Sequence, residues 1–124
     1  MTTQRTVYVT GASGFVGSSV VEYLADRSKT RIVAGVRKSD DRWSGADSIV
    51  EDVYGDLTRS IDWVSRFGGV DVLVHAAGFV HKQEPYTIEQ AGQASRLNDQ
   101  LVKDLWTAAN SAGVEHFILI STIA

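Results

Sequence analysis

Thr6-Val7-Tyr8-Val9-Thr10-Gly11-Ala12-Ser13-Gly14-Phe15-Val16-Gly17 is the stretch that decides the fold. Its first five residues are β-branched or aromatic without a break, the composition of a strand. Val16, Val20, Val21 and Leu24 then recur on one stripe of helical period, so residues 6–10 are expected to form a strand and residues 15–27 a helix. Three glycines at intervals of three join them, and in that setting each has a physical role. Gly11 permits the tight turn, Gly14 removes a Cβ that would keep a diphosphate away from the backbone, and Gly17 lets the helix lie close on the strand. The N–H groups around Ser13, Phe15 and Val16, with the positive end of the helix dipole, are then candidates to hold the phosphates. An ordinary strand-to-helix turn is the alternative.

The pattern repeats downstream. Further strands are expected at residues 31–36, 48–53, 70–75 and 116–120, with a short helix at residues 61–67 and a long one at residues 88–112. In the long helix Leu97, Leu101, Leu105 and Ala109 fall at intervals of four with Trp106 beside them, and Gly113 is its natural stop. Strands alternating with helices imply an α/β fold, a doubly wound parallel sheet of Rossmann type. Right-handed crossovers leave few arrangements, and the expected strand order is 3-2-1-4-5, ending after the fifth strand. A ligand belongs at the switch point, across the C-terminal ends of the first and fourth strands.

Composition bounds the rest. The 124 residues suit one domain, and with 44% hydrophobic and 22% charged residues the chain is an ordinary globular one. Twelve Lys and Arg are scattered among fifteen Asp and Glu, for a net charge of -3, which argues against nucleic acid as a partner. There is no cysteine, so no disulfide or thiolate metal site. His75, His81 and His116 form no metal-like constellation and are expected to be structural or surface residues. No secretory leader, membrane-spanning run, repeat or linker is apparent, and the one proline, Pro85, lies in a polar loop; a cytoplasmic location with no membrane span is the expectation.

Several segments in order carry a resemblance to a known family. They are the G-x-x-G-x-x-G spacing of Gly11, Gly14 and Gly17; Gly55-Asp56-Leu57; His75-Ala76-Ala77-Gly78; Asn98; and Phe117-Ile118-Leu119-Ile120-Ser121-Thr122. Together they resemble the extended short-chain dehydrogenases/reductases, the family of UDP-sugar epimerases, dehydratases and 4-ketoreductases, over essentially the whole chain. The resemblance implies that Asp56, with Leu57, holds the adenine amino group, and that Ala76, Ala77 and Gly78 pass close beneath the cofactor. It matches Asn98 to the family's helix asparagine. It also implies that the Thr122 hydroxyl bonds the reacting sugar oxygen and a catalytic tyrosine, with Ser121 behind it. Taken on their own chemistry, Asp56 serves equally as a turn residue or helix cap, Asn98 as a solvent-facing residue, and Ser121 and Thr122 as strand-terminating hydroxyls. The segment from Val72 to Thr122 looks most like the bacterial surface-polysaccharide members.

Cofactor choice turns on the residue about 20 positions beyond the glycines. A carboxylate there would bond the ribose 2′-OH of NAD; this chain has Arg37 followed by Lys38, which favour the 2′-phosphate of NADP and, within the family, a reductase. Asp40 and Asp41 keep NAD as the alternative, if their loop curls back to the ribose, and a solvated Arg37 is the bland reading. The family's catalytic Tyr-x-x-x-Lys is absent: Tyr8, Tyr23, Tyr54 and Tyr86 have no lysine four residues on. The chain is therefore expected to be the N-terminal cofactor-binding part of an enzyme that moves hydride at a sugar carbon, inactive alone, with the fifth strand left as a long apolar edge and the helix at residues 88–112 as a homodimer face. A non-catalytic module sensing the NAD(P) ratio is the competing reading, and a flavin- or other nucleotide-binding doubly wound domain a weaker third.

Overall fold

Side chains alternate along the first strand, and that alternation divides the molecule into two layers of core. In the computed structural model, which describes residues 4–27, 29–77 and 87–120, β1 (Arg5–Thr10) sends Val7 and Val9 to one side and Tyr8 to the other. Val7 and Val9 pack with Ala12, Val21, Ile32, Ala34, Val36 and Val74 under α1 (Phe15–Ala25). Tyr8 packs with Phe67, Leu73, Leu101 and Leu105 under α2 (Trp63–Arg66) and α3 (Ile88–Ala112). The central strands are thus buried on both faces, which is why they read as unbroken apolar runs.

The other strands are β2 (Thr30–Val36), β3 (Ile49–Val53), β4 (Val72–His75) and β5 (His116–Leu119). All neighbours pair in parallel, and the sheet order is β3-β2-β1-β4-β5, as expected from the sequence. The register sets Thr10 beside His75, so the mouth of the β1–β4 gap is lined by the last residues of both strands.

Element ends differ from the sequence expectation for local reasons. The first helix stops at Ala25, since Arg27 N–H turns back to the Leu24 carbonyl (3.0 Å). The second helix is a single turn begun by Asp62, whose side chain accepts from Ser65 N–H. The fourth strand starts at Val72 because Val70 N–H closes a turn on the Phe67 carbonyl (3.0 Å). Asp71 then ties the strand bottoms together. Its carboxylate accepts from Thr6 N–H (2.8 Å), and its carbonyl accepts from Glu115 and His116 N–H.

Two apolar positions lie elsewhere than the stripes implied. Val16 is exposed in the first turn of α1, where Gly17 is the residue turned onto the glycine bend. Trp106 is also exposed and meets Phe117 edge-on, with ring centroids 5.9 Å apart. The long apolar edge expected at the fifth strand is four residues, with Ile118 and Leu119 exposed. α3 runs as expected, opened by a Thr87–Gln90 capping box and closed by Gly113 in the left-handed conformation. Among the described residues no helix is long and apolar enough to cross a membrane.

Candidate functional site

The glycine bend begins where β1 ends. Gly11 has a φ of +65°, and a Cβ built there would lie 2.7 Å from the Ala77 backbone, so a side chain is barred both by conformation and by the neighbouring strand end. Gly17 has no room for a different reason: its Cβ would lie 2.0 Å from the Gly11 carbonyl oxygen, which is how closely α1 packs on the bend. Gly14 is the N-cap of α1 in extended conformation, where a Cβ would come only within 3.3 Å of the Gly11 oxygen. Its backbone conformation does not require glycine.

The two long helices end differently on the N-terminal side, and the contrast leaves the start of α1 open to an anion. α3 has its first N–H groups met by Thr87, with Glu89 in the first turn to offset the dipole. α1 has no side-chain cap and no acidic residue in its first turn, and its first helical bond is Ser18 N–H to the Gly14 carbonyl (2.9 Å). The Phe15, Val16 and Gly17 amides therefore have no acceptor within the helix. Ser13, Gly14 and Phe15 around them are exposed, Phe15 to 90%.

The floor of the site is held by Thr10. Its hydroxyl oxygen accepts from Ala76 N–H and Ala77 N–H (both 3.1 Å) and lies 2.7 Å from His75 Nδ1. A threonine hydroxyl has two lone pairs and one proton, so with both lone pairs engaged the proton donates to His75 Nδ1. His75 is thereby the neutral tautomer protonated on Nε2, and burial holds its pKa down at about 4. It is a structural residue, as the sequence suggested. Ala77 lies directly against Gly11 of the glycine bend, and Ala76 is held beside it by Thr10.

The remaining candidates lie around this crevice. Arg37 and Lys38 are exposed just past the end of β2. Asp56 is exposed after β3, and its Oδ1 accepts from Thr58 N–H (2.8 Å) and the Thr58 hydroxyl (2.7 Å), which lowers its pKa; the turn role open to it from sequence is one it performs. Leu57 packs against the Tyr8 core. Asn98 is half-buried on α3 and has an interaction partner. Gly78, Ser121 and Thr122 lie outside the described residues. No group of three or more His, Cys, Asp or Glu among the described residues is placed to hold a metal ion.

Three residues at the site escaped the sequence reading. Thr10 carried a weak signal, a hydroxyl closing an otherwise apolar strand. Tyr54, buried after β3, accepts from Gly11 N–H through its phenol oxygen (3.1 Å). Arg42, from the loop between β2 and β3, donates from its guanidinium to the Ser13 carbonyl (3.3 Å) and pairs with the Asp40 carboxylate (3.6 Å). Neither contact has a sequence signal, because each joins segments 29 or more residues apart.

A groove of about 530 Å³ lies between α3 and the loop before α2, over Leu57, Ile61, Trp63, Leu97 and Leu101.

The chain is similar to known proteins. Over 119 residues the chain is 28% identical to a UDP-glucose 4-epimerase of Vibrio cholerae, covering 96% of this chain and 35% of that protein. It is 31% identical over 116 residues to a 3-beta-hydroxysteroid dehydrogenase of Mycolicibacterium neoaurum, covering 90% of this chain and 30% of the relative. Among solved structures, MoeE5 in complex with UDP-glucose and NAD superposes with a TM-score of 0.74 at 30% identity, over 94% of this chain and 36% of MoeE5. The chain thus spans about a third of the length of these relatives. The model of the NAD-dependent epimerase/dehydratase family matches residues 7–124, and the chain belongs to that family.

Proposed function

We propose that residues 1–124 form the NAD(P)-binding part of an enzyme that transfers hydride at a carbon of a sugar nucleotide, as an epimerase, dehydratase or 4-ketoreductase. The observation that carries this is the uncapped N-terminus of α1 standing over Gly14 at the β1–β4 switch point. The residues fit a dinucleotide: the first-turn amides of α1 and the Gly14 backbone would take the diphosphate, Ala76 and Ala77 would underlie it, and Asp56 would face the adenine. By resemblance Gly78, Asn98 and Ser121 complete the cofactor site and Thr122 the reacting end. When bound, the nicotinamide supplies the hydride acceptor or donor. The chain's own residues would bind and orient it.

Sugar nucleotides are proposed over other substrates because MoeE5, at 30% identity, was solved with UDP-glucose and the Vibrio relative is a UDP-glucose 4-epimerase. The steroid dehydrogenase relative has a comparable identity, and the reading assigns substrate choice to residues other than these.

NADP(H) is the proposed cofactor, with NAD as the alternative. Arg37 and Lys38 follow the end of β2, Arg42 reaches the Ser13 carbonyl, and the Asp40 carboxylate, which would otherwise compete for a ribose, is engaged by Arg42. The face of α3 is the proposed site of homodimerisation.

Calorimetric titration with NADPH and NADH tests the reading. Binding of either is the expected result, NADPH the tighter, with no turnover of any UDP-sugar by this chain alone. Binding of neither overturns the proposal, and turnover would mean that the catalytic groups have been misplaced.

A further inference from the structure

The geometry points to Tyr54 as a positioning residue that sets the glycine bend for a diphosphate. The inference rests on the dinucleotide reading above and goes beyond it, since Tyr54 belongs to none of the segments that carry the family resemblance.

Gly11 is the first residue past β1, so its N–H has run out of strand neighbours. Besides Arg42 on the Ser13 carbonyl, three contacts hold the bend around it: Ala12 N–H to the Gly35 carbonyl (3.0 Å), Gly14 N–H to the Gly11 carbonyl (3.0 Å), and Gly11 N–H to the Tyr54 phenol oxygen (3.1 Å). Two of these are backbone contacts that any sequence would make. The third comes from a side chain rooted two strands away, and it fixes the peptide plane entering the left-handed Gly11.

Tyr54 is itself rigid. Its N–H bonds the Val36 carbonyl (2.9 Å), anchoring it to the end of β2, and its ring lies against Trp63 with centroids 5.3 Å apart. Burial also raises its pKa, so the phenol stays protonated and neutral. A neutral oxygen on a stiff mount is suited to hold one amide in one orientation. The bend that it braces carries the first-turn amides of α1 with it, because Gly17 packs directly on the Gly11 carbonyl. Tyr54 therefore acts on the diphosphate through the bend, without touching it.

Tyr54→Phe tests the role, since it keeps the ring on Trp63 and removes only the acceptor. Binding is measured by calorimetry for ADP-ribose, which has the diphosphate, and for adenosine 2′-monophosphate, which lacks it. The expected result is a loss of about tenfold for ADP-ribose, unchanged affinity for the monophosphate, and faster exchange of the Gly11 amide by NMR. Equal ADP-ribose affinity in wild type and variant overturns the inference alone. An equal loss for both ligands also overturns it, as general damage to the fold. If the wild type binds neither ligand, the dinucleotide reading falls and this inference with it. Should the variant fail to fold, the wild-type Gly11 amide still decides: protection from exchange that increases with ADP-ribose supports the role, and exchange as fast as that of exposed Gly45 overturns it.

Discussion

Thr10 and His75 share a 2.7 Å hydrogen bond across the β1–β4 gap, and the threonine hydroxyl that makes it also receives the Ala76 and Ala77 amides. One side chain thus satisfies three buried or half-buried groups at the floor of the switch point. Thr10→Val preserves shape and β-propensity while leaving all three unpaired, so it is expected to destabilise the chain by about 3 kcal/mol, and Thr10→Ser to restore most of that. Urea denaturation measures both. A valine variant as stable as wild type would mean that water replaces the hydroxyl and that the floor is not held as described.

Burial of His75 makes stability depend on pH. His75 stays neutral in the folded state down to about 4, whereas unfolded it takes up a proton below its ordinary value of 6.5. The unfolded state binds more protons in that window, so stability is full above 6.5, falls as pH drops toward 4, and loses on the order of 3 kcal/mol from this group. Asp56 and Asp62, whose pKa values are lowered by hydrogen bonds from Thr58 and Ser65, act below the ordinary carboxylate value of 3.8, outside this window. Denaturation curves between pH 7.5 and 4.5 should show the decline, and ring ¹⁵N shifts should show Nε2 protonated. A flat stability profile over that range would count against the assignment.

The three glycines have separate functions that substitution should pull apart. Gly17→Ala drives a Cβ to 2.0 Å from the Gly11 oxygen, a backbone atom that cannot step aside, and is expected to cost about 3 kcal/mol or more of stability. Gly14→Ala meets nothing closer than 3.3 Å and should cost about 1 kcal/mol as a poorer cap. Yet Gly14→Ala should abolish detectable NADPH binding, by filling the space a diphosphate needs. Thermal melts and titration of the two variants give the comparison, and an alanine at position 14 that binds normally would remove Gly14 from the site.

Much of this architecture was legible in the sequence because its signals are local. The G-x-x-G-x-x-G bend, the two-sided apolar strands and the glycine-terminated α3 each depend on residues within a few positions of one another, and the strand order followed from the handedness of crossovers. Val16 was misjudged because a helical stripe does not reveal which first-turn residue is turned onto the bend. Thr10, Tyr54 and Arg42 were missed because their partners are brought to them only by folding: 65, 43 and 29 residues separate them from His75, Gly11 and Ser13. Periodicity reports which face a residue occupies, not which distant backbone atom its tip will reach.

Cofactor preference is where these long-range contacts bear most directly on function. Arg37 follows β2 and is exposed, while Arg42 is drawn onto the Ser13 carbonyl by its loop, with its charge partly offset by Asp40. An exposed guanidinium free to form a fork with a phosphate should discriminate more than one already paired. Arg37→Ala is therefore expected to weaken NADPH about tenfold and leave NADH within about twofold, since only the 2′-phosphate is lost to it. Arg42→Ala should weaken both dinucleotides by a similar, smaller factor, because it releases the loop from the glycine bend. Titration of both variants with both cofactors separates the roles. A preference unchanged by Arg37→Ala would turn the assignment toward NAD, and a selective NADPH loss in Arg42→Ala would make Arg42 the residue that reads the phosphate.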